Sequence, residues 1–468
     1  MRKALFLTLM ALLAALPLRG AIPASERNAL LLLYASTGGN NWRDRSNWLG
    51  EPGSECSWYG VECDDGGAHV ISLSLSENNL AGPLPAELAD LPHLRYLRLE
   101  FNLLTGPIPP SLGTLSALEV LDLSGNQLSG PIPAELGNLP ELYSLILFGN
   151  QLTGGIPSSL AGLSNLTELD LNQNALTGEI PAELAGLANL RTLGLFHNQL
   201  TGFIPPALGG LGSLQNLYLA DNLLEGPIPP ELGNLAQLRE LFLSHNSLTG
   251  AIPGTLSALG QLQILDLSVN SLGGLVPPSL GSLPALQSLN LSDNHLVGAI
   301  PPELAGLPSL LSLSLGVNAL DGRIPAALGG MAHLEWLDLS YNRLSYLIPP
   351  ELGQLAGLQM LDLAGNQLYG GIPPELGNLG SLHYLILDEN LLNGTLPESL
   401  GGLAQLQRLS VAGNQFEGGI PESWYSLTAL QILDLCCNNL SAPLPPDIGS
   451  LSSLVVLNLA GNRFAGPL

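Results

Sequence analysis

The sequence predicts an α/β solenoid, a fold in which one short unit is repeated and stacked along an axis. An asparagine recurs every 24 residues from Asn78 to Asn462, which marks seventeen units without an insertion. A leucine stands five residues before every one of these asparagines, and a proline stands seven residues after each one from Pro85 to Pro445. A fixed period of about 20 to 50 residues is typical of stacked repeat architectures.

Each recurring position has a physical reason. In a unit such as Leu121-Asp122-Leu123, the alternation predicts a short strand with one buried face. One unit cannot bury its own leucines, so stacking supplies the core, with neighbouring strands about 4.8 Å apart. The asparagine amide is expected to turn inward and to satisfy unpaired backbone groups, forming a hydrogen-bonded ladder. A glycine four residues later permits a bend with positive φ, and the proline ends the strand pairing.

The composition excludes several classes of protein. The chain has 55 glycines and 37 prolines but is 46% hydrophobic, so these residues occupy regular places in a packed structure. A net charge of −25 argues against nucleic acid as a partner. Lys3 is the only lysine, which leaves no candidate for a phosphate-loop or Schiff-base lysine. Because the sequence has no catalytic motif either, we predict no enzymatic activity, no cofactor and no metal.

The repeat resembles a known family. The pattern LxxLxxLxLxxNxLxGxIPxxLGxL, over residues 68–468, is similar to the plant-type class of extracellular leucine-rich repeats. That class includes receptor-kinase ectodomains, polygalacturonase-inhibiting proteins and secreted bacterial proteins. The resemblance implies a right-handed superhelix or horseshoe with a parallel sheet on its concave face. Extended and 3₁₀ segments are expected on the convex face, and ligands are expected on the concave face.

Residues 1–21 are predicted to be a signal peptide. Arg2 and Lys3 precede an apolar run that ends at Leu16, which is short for a membrane span. The alternative is an uncleaved, buried helix. A signal peptide implies a secreted or cell-surface protein, and no later apolar run is long enough to span a membrane.

Residues 22–67 are predicted to cap the start of the solenoid. Ser25 is expected to cap a helix that ends at the glycine pair 38–39. The segment that follows resembles the W…CxWxGVxC signature of plant-type caps. That resemblance, in a secreted chain, implies a disulfide between Cys56 and Cys63, and a metal-binding pair is the alternative.

The other end of the chain raises two questions. The repeats fill residues 68–468, and the last unit is incomplete and lacks a polar cap. We therefore expect that the natural chain continues, or that the last unit frays or mediates self-association. The adjacent Cys436 and Cys437 are interpreted as substitution drift at partly exposed positions. A vicinal disulfide or a reactive thiol is the alternative.

The candidate binding patch lies on the predicted concave face. The residues six, four, two and one before each asparagine, and the one after it, are expected to be exposed there. Large side chains with a polar rim cluster in one band, as interface anchors do. The predicted patch comprises Ile146, Phe148, Asn172, Phe196, His197, Tyr218, Asp221, Glu240, Phe242 and His245. The alternative is that these aromatic side chains only pack on one another.

Two further features of this face are weaker indications. A second cluster comprises Trp336, Tyr341, Arg343, Met360 and Tyr384. A column of aspartates belongs to the repeat and is interpreted as a solvated structural feature, with cations or basic peptides as alternative partners. Together these features favour a recognition module that binds a protein, peptide or glycan. The alternatives are the ectodomain of an anchored receptor or adhesin, and an inhibitor of a secreted hydrolase.

Overall fold

The computed structural model describes residues 21–444 and 446–465. They form two compact units, one ending at Leu190 and one beginning at Arg191, and each is described by itself. The predicted signal peptide, apart from Ala21, lies outside the described residues, as do the last three residues of the chain.

The first unit opens with helix α1 (Ala24–Ser36). The prediction that Ser25 caps this helix is wrong, because Pro23 occupies the N-cap and no side chain caps the first turn. The fixed φ of proline suits the start of a helix, and Ser25 falls inside the first turn. Beyond the helix Gly38 adopts φ 66°, a left-handed conformation that glycine adopts without strain.

The cap is tied to the repeats by a buried carboxylate. Glu26 is fully buried, and it accepts a hydrogen bond of 2.8 Å from the Val70 N–H and lies 2.7 Å from His69 Nδ1. Tyr34 of α1, Trp42 and Trp48 pack against one another, and Trp58 packs against Trp48, with ring centroids 4.8 to 5.7 Å apart. Cys56 and Cys63 form a disulfide, as the family resemblance implies.

The first unit builds two sheets from its repeats. In the main sheet, β1 is antiparallel to β2, and β2, β4, β6, β8 and β10 pair in parallel. The second sheet pairs β3, β5, β7, β9 and β11 in parallel. The strands are β1 (Val61–Cys63), β2 (Val70–Ser74), β3 (Ala81–Pro83), β4 (Tyr96–Arg98), β5 (Leu103–Gly106), β6 (Val120–Asp122), β7 (Gln127–Pro131), β8 (Ser144–Ile146), β9 (Gln151–Gly154), β10 (Glu168–Asp170) and β11 (Ala175–Gly178).

The second unit repeats this plan. Its main sheet pairs β12, β14 and each following even-numbered strand to β34 in parallel. Its second sheet pairs neighbouring odd-numbered strands from β15 to β33. The strands are β12 (Thr192–Gly194), β13 (Gln199–Leu200), β14 (Asn216–Tyr218), β15 (Glu225–Pro227), β16 (Glu240–Phe242), β17 (Ser247–Ala251), β18 (Ile264–Asp266), β19 (Ser271–Gly274), β20 (Ser288–Asn290), β21 (His295–Ala299), β22 (Ser312–Ser314), β23 (Ala319–Gly322), β24 (Trp336–Asp338), β25 (Arg343–Tyr346), β26 (Met360–Asp362), β27 (Gln367–Gly370), β28 (Tyr384–Ile386), β29 (Leu391–Thr395), β30 (Arg408–Ser410), β31 (Gln415–Gly418), β32 (Ile432–Asp434), β33 (Asn439–Leu440) and β34 (Val456–Asn458).

A short 3₁₀ helix follows the proline of each 24-residue repeat and leads the chain back towards the next repeat, as predicted. In the first unit these helices span Ala86–Asp90, Pro110–Thr114, Ala134–Asn138, Ser158–Gly162 and Ala182–Gly186, and two further 3₁₀ turns of the cap span Gly39–Asn41 and Glu55–Ser57. In the second unit they span Pro206–Gly210, Pro230–Asn234, Gly254–Ala258, Pro278–Ser282, Pro302–Gly306, Ala326–Gly330, Pro350–Gln354, Pro374–Asn378, Glu398–Gly402, Glu422–Ser426 and Pro446–Ser450.

The predicted asparagine ladder is confirmed in both compact units. Asn126 is buried, and its Nδ2 donates to the carbonyls of Leu99, Leu123 and Ser124 at 3.0 to 3.1 Å. Its Oδ1 accepts from the Leu104 N–H at 2.9 Å. One side chain therefore links its own turn to the preceding repeat, which leaves few buried backbone groups unpaired.

Two local features differ from the sequence-based expectation. The second sheet was not predicted as a paired sheet, only as extended chain. The residue immediately before the ladder asparagine is also left-handed in many repeats, with φ near 53° at His197, His245 and Val269. The tight turn into the ladder requires that conformation even where the residue is β-branched.

The interpretation of the adjacent cysteines as unpaired drift is corrected. Cys436 and Cys437 form a vicinal disulfide in the turn before Asn438. Cys437 is exposed and Cys436 is half-buried, as expected for the end of the strand. No free cysteine is found among the described residues.

Candidate functional site

The solvent-facing side of each main sheet, called here the main-sheet face, carries the predicted patch. In β14, Leu217 is fully buried, and Asn216 and Tyr218 on either side of it are half-buried. Strand alternation therefore presents every second residue to solvent, in columns that run across the stacked strands.

The first unit contains three residues of the predicted patch. Ile146 is half-buried at the end of β8, in register with Asp170 of β10. Phe148 is half-buried, and its ring meets the ring of Phe101 edge-on with centroids 6.0 Å apart. The Asn172 N–H donates to Asp170 Oδ1 at 3.0 Å. Phe101, which is 53% exposed, was missed because only its fold-dependent contact with Phe148 adds it to the cluster.

In the second unit, the patch contains the aromatic pair that a shared column predicts. Tyr218 and Phe242 are in register on β14 and β16, and their ring centroids lie 5.6 Å apart. The Tyr218 hydroxyl donates a hydrogen bond to the Glu240 carboxylate. Glu240 thus holds the tyrosine ring within the pair.

The remaining patch residues of the second unit are more exposed. His197 Nδ1 and the Asp221 carboxylate are hydrogen-bonded, with 61% and 48% of their side chains exposed. The Phe196 ring lies 5.8 Å from the His197 ring, and Phe196 and His245 are exposed. Two acidic rim residues are thus engaged by side chains of the patch itself, which agrees with the alternative that the patch partly packs on itself.

A groove lies on the main-sheet face of the second unit. Its volume is about 310 Å³, and it is called here the groove. It is lined by Trp336, Met360, Tyr384, Ile386, Gln407, Arg408, Gln431 and Ile432. Strand register places five of these residues in one column across consecutive strands, from Trp336 to Ile432.

The sequence indicates only part of the groove. Trp336, Met360 and Tyr384 belong to the second cluster predicted from the sequence, but Tyr341 and Arg343 of that cluster line a different cavity of about 500 Å³. The missing members are Ile386, Gln407, Arg408, Gln431 and Ile432. The 24-residue column itself was the signal that would have found Arg408 and Ile432.

The groove combines an apolar column with buried charge. Trp336 is 44% exposed, and the Arg408 Nε atom is buried without a hydrogen-bond partner among the described residues. Asp362 stands in the next column, where burial raises its pKa to about 6 although the Ala364 N–H and Arg408 favour its charged form. Burial likewise raises the pKa of Asp388. The groove therefore offers apolar contact beside partly buried carboxylates.

Among residues 21–444 and 446–465, no group of three or more His, Cys, Asp or Glu side chains is arranged to hold a metal ion. The same residues include no helix with the length and apolar character needed to cross a bilayer.

Comparison with protein-family models identifies the repeats and the cap. The model of the leucine-rich repeat region matches residues 69–301, and a second leucine-rich-repeat model matches residues 297–344 and 308–368. A third leucine-rich-repeat model matches residues 381–403, 405–427 and 429–451. The leucine-rich-repeat N-terminal domain model matches residues 23–64.

Curated relatives match only short stretches. The LRR receptor-like serine/threonine-protein kinase FEI 2 of Arabidopsis thaliana is 48% identical over 52 residues, which is 11% of this chain and 9% of that protein. Polygalacturonase inhibitor 1 of Arabidopsis thaliana is 36% identical over 76 residues, which is 16% of this chain and 22% of the inhibitor. The chain thus aligns with less than a quarter of the length of either relative.

Solved structures match over most of the chain. The ectodomain of the Arabidopsis receptor kinase HAESA, in complex with an IDA peptide hormone, has a TM-score of 0.76 at 35% identity, covering 94% of this chain and 78% of that one. The plant peptide hormone receptor RGFR1, in complex with RGF2, has a TM-score of 0.69 at 36% identity, covering 85% and 71%. A leucine-rich-repeat protein of Leptospira interrogans has a TM-score of 0.67 at 33% identity, covering 82% and 94%. The chain therefore belongs to the leucine-rich-repeat proteins, with repeats of the plant-type extracellular class.

Proposed function

We propose that this protein is a secreted or cell-surface recognition module that binds an extended peptide, or a peptide segment of a protein, on its main-sheet face without catalysing a reaction. The observation that carries the proposal is the groove, because an apolar cavity with few polar groups is the usual form of a binding site. The likeness to a receptor-kinase ectodomain in complex with a peptide hormone, and to a plant peptide hormone receptor in complex with RGF2, supports a peptide over other ligands. The disulfide between Cys56 and Cys63 supports an extracellular location.

The chemistry of the groove indicates what such a peptide carries. Trp336, Met360 and Tyr384 offer a row of large apolar side chains, which anchor interfaces more often than small ones do. The neighbouring column contains Asp338 and Asp362, in register with those strands. The peptide is therefore expected to place apolar side chains over the first column and Lys or Arg over the second.

The predicted patch is proposed as a second contact surface of the same ligand class. Phe196, Tyr218 and Phe242 present aromatic surface in the second unit, and His197 and Asp221 form its polar rim. In the first unit, the corresponding contact surface is proposed to comprise Ile146, Phe148 and Asn172. The polar groups of this patch bond to one another, so we assign the main anchor to the groove.

The test starts from a phage-displayed library of random dodecapeptides selected on the full-length protein. Selected peptides are synthesised, and their affinity is measured by calorimetry. Trp336→Ala/Tyr384→Ala is expected to weaken binding at least about 10-fold, which is about 1.4 kcal/mol. Tyr59→Ala removes an aromatic side chain of similar exposure from the cap and serves as the matched control.

A second variant separates the two surfaces. If Phe196→Ala/Tyr218→Ala/Phe242→Ala abolishes binding and the groove variant does not, the predicted patch is the anchor. If both variants bind the selected peptides as the parent does, the main-sheet face is not the binding surface and the proposal is wrong. Circular dichroism of each variant checks that the repeats remain folded.

A further inference from the structure

A second cavity of the second unit lies on its second sheet and shares no residue with the groove. Its volume is about 500 Å³, and it is called here the tyrosine pocket. Its lining includes Arg323, Tyr346, Leu347 and Tyr369. The proposed peptide-binding function makes no use of it.

The pocket contains a strained residue. Tyr346 has φ 77° and stands four residues after the ladder asparagine of its repeat. Every repeat has glycine at this position except this one and the one with Ala442. A bulky residue is strained in this conformation. Tyr346 is nevertheless 41% exposed, so the strain is not explained by filling the core. Strained residues that packing does not explain are a reason to look for a binding role.

The two tyrosines form the walls of the pocket. The Tyr369 ring lies 6.0 Å from the Tyr346 ring at an angle of 46°, and both side chains line the pocket. Tyr369 and Leu347 are 44% and 57% exposed. Gly370 makes room for Leu347, because a Cβ atom at that glycine would lie 2.5 Å from Leu347 Cδ2.

An arginine also lines the tyrosine pocket. The Arg323 guanidinium carbon lies 4.5 Å from the centroid of the Tyr346 ring. Among the described residues, no carboxylate lies within ion-pair distance of Arg323. In a chain with a net charge of −25, an arginine without an acidic partner is available to an anionic ligand.

The surrounding backbone favours recognition by side chains. β25 pairs with β23 on one side and with β27 on the other. The pocket therefore has no open strand edge on which an extended peptide could add a strand. What remains are two aromatic faces, two phenol hydroxyls and one guanidinium, which together match a ring that has an apolar face, hydroxyl groups and a carboxylate.

We propose that the tyrosine pocket binds a hexuronic-acid unit of an acidic glycan. The sugar carboxylate pairs with the Arg323 guanidinium, and the C–H face of the pyranose ring lies against the tyrosine rings. The sugar hydroxyls bond to the Tyr346 and Tyr369 hydroxyls. This binding is independent of the groove, so each site can fail without the other.

The test compares two sugars of the same linkage by calorimetry with the full-length protein at physiological salt. A glucuronic-acid tetrasaccharide carries a carboxylate where cellotetraose carries a hydroxymethyl group. The acidic sugar is expected to bind at least about 10-fold more tightly, which corresponds to about 1.4 kcal/mol. Arg323→Gln and Tyr369→Ala are each expected to weaken it at least about 10-fold. Arg343→Gln, which removes the same charge outside the pocket, is expected to bind as the parent does.

The strained residue provides a further test. Tyr346→Gly restores the glycine of the repeat, and it is expected to keep the parent melting temperature within a few degrees but to lose the acidic sugar. Three results would overturn the proposal: no binding of the acidic sugar to the parent, equal binding of cellotetraose, or an equal loss in Arg343→Gln. Binding of tetraglutamate as tightly as the acidic sugar, through Arg323, would also overturn it, because the pocket would then recognise a peptide anion.

Discussion

Replacing one ladder asparagine tests how the repeats are held together. Asn270 is 8% exposed, and its Nδ2 donates to the carbonyls of Leu243, Leu267 and Ser268 at 3.0 to 3.1 Å. Its Oδ1 accepts from the Leu248 N–H at 3.0 Å. In Asn270→Ala all four bonds are lost together.

The cost of this change is expected to fall mainly on one donor. Each of the three carbonyls keeps a second partner, which is Asn246 for Leu243, Asn294 for Leu267 and the His245 N–H for Ser268. A backbone N–H has a single hydrogen, so the buried Leu248 N–H is left unsatisfied at about 1–3 kcal/mol. Adding the weakened carbonyl contacts, we expect a loss of about 3 kcal/mol in the free energy of unfolding.

Urea unfolding followed by circular dichroism measures the loss, and amide hydrogen exchange at Leu248 locates it. Asn234→Ala, on an exposed asparagine of a 3₁₀ helix, is the control and should change stability by less than about 0.5 kcal/mol. A loss below about 0.5 kcal/mol in Asn270→Ala, with Leu248 still protected, would refute the ladder as the source of stability.

Three other predictions follow from buried charge and from the disulfides. Burial raises the pKa of Asp362 from 3.8 to about 6, so its carboxyl group stabilises the fold below pH 3.8 and loses that effect as the pH rises through 6. The urea concentration at the unfolding midpoint should therefore decrease as the pH rises from about 4 to about 6, and it should decrease less in Asp362→Asn than in the exposed-site control Asp321→Asn. Parallel profiles of the two variants would contradict this. Arg27→Ala leaves Glu55, which is 1% exposed, without its ion-pair partner and should lower the free energy of unfolding by about 3–5 kcal/mol. The control Arg43→Ala, at an exposed arginine, should lower it by less than about 0.5 kcal/mol. Equal melting temperatures of the two variants would argue against the ion pair. Thiol titration of the unfolded, unreduced protein should find no free thiol, since all four cysteines are paired; two thiols per chain would disprove the vicinal bond.

The candidate site was predicted only where it follows the repeat. Tyr218 and Phe242 meet because they hold the same position in consecutive units, so the period alone places them side by side. The same reasoning reaches Trp336, Met360 and Tyr384. Ring orientation and the pairing of polar side chains do not follow from register. The sequence therefore does not indicate that polar side chains of the predicted patch form hydrogen bonds with one another.

The cap shows the same limit. Its disulfide follows from a signature in the sequence, but the bond between buried Glu26 and His69 joins residues 43 positions apart. Neither residue belongs to a repeating pattern, so nothing in the sequence pairs them. The prediction of Ser25 as the helix cap failed for a related reason, because proline and serine are both acceptable there and local backbone geometry chose between them.

The sequence by itself determined the solenoid, its 24-residue units, the buried leucines and the asparagine ladder, because each unit is equivalent to the next and one rule serves them all. Tertiary structure decided the features that break this equivalence. Tyr346 in a glycine position is visible in the sequence, but its approach to Arg323 and Tyr369 depends on where three neighbouring strands place their side chains. Periodicity fixes which residues share a column, and only packing fixes which of them leave a cavity between them.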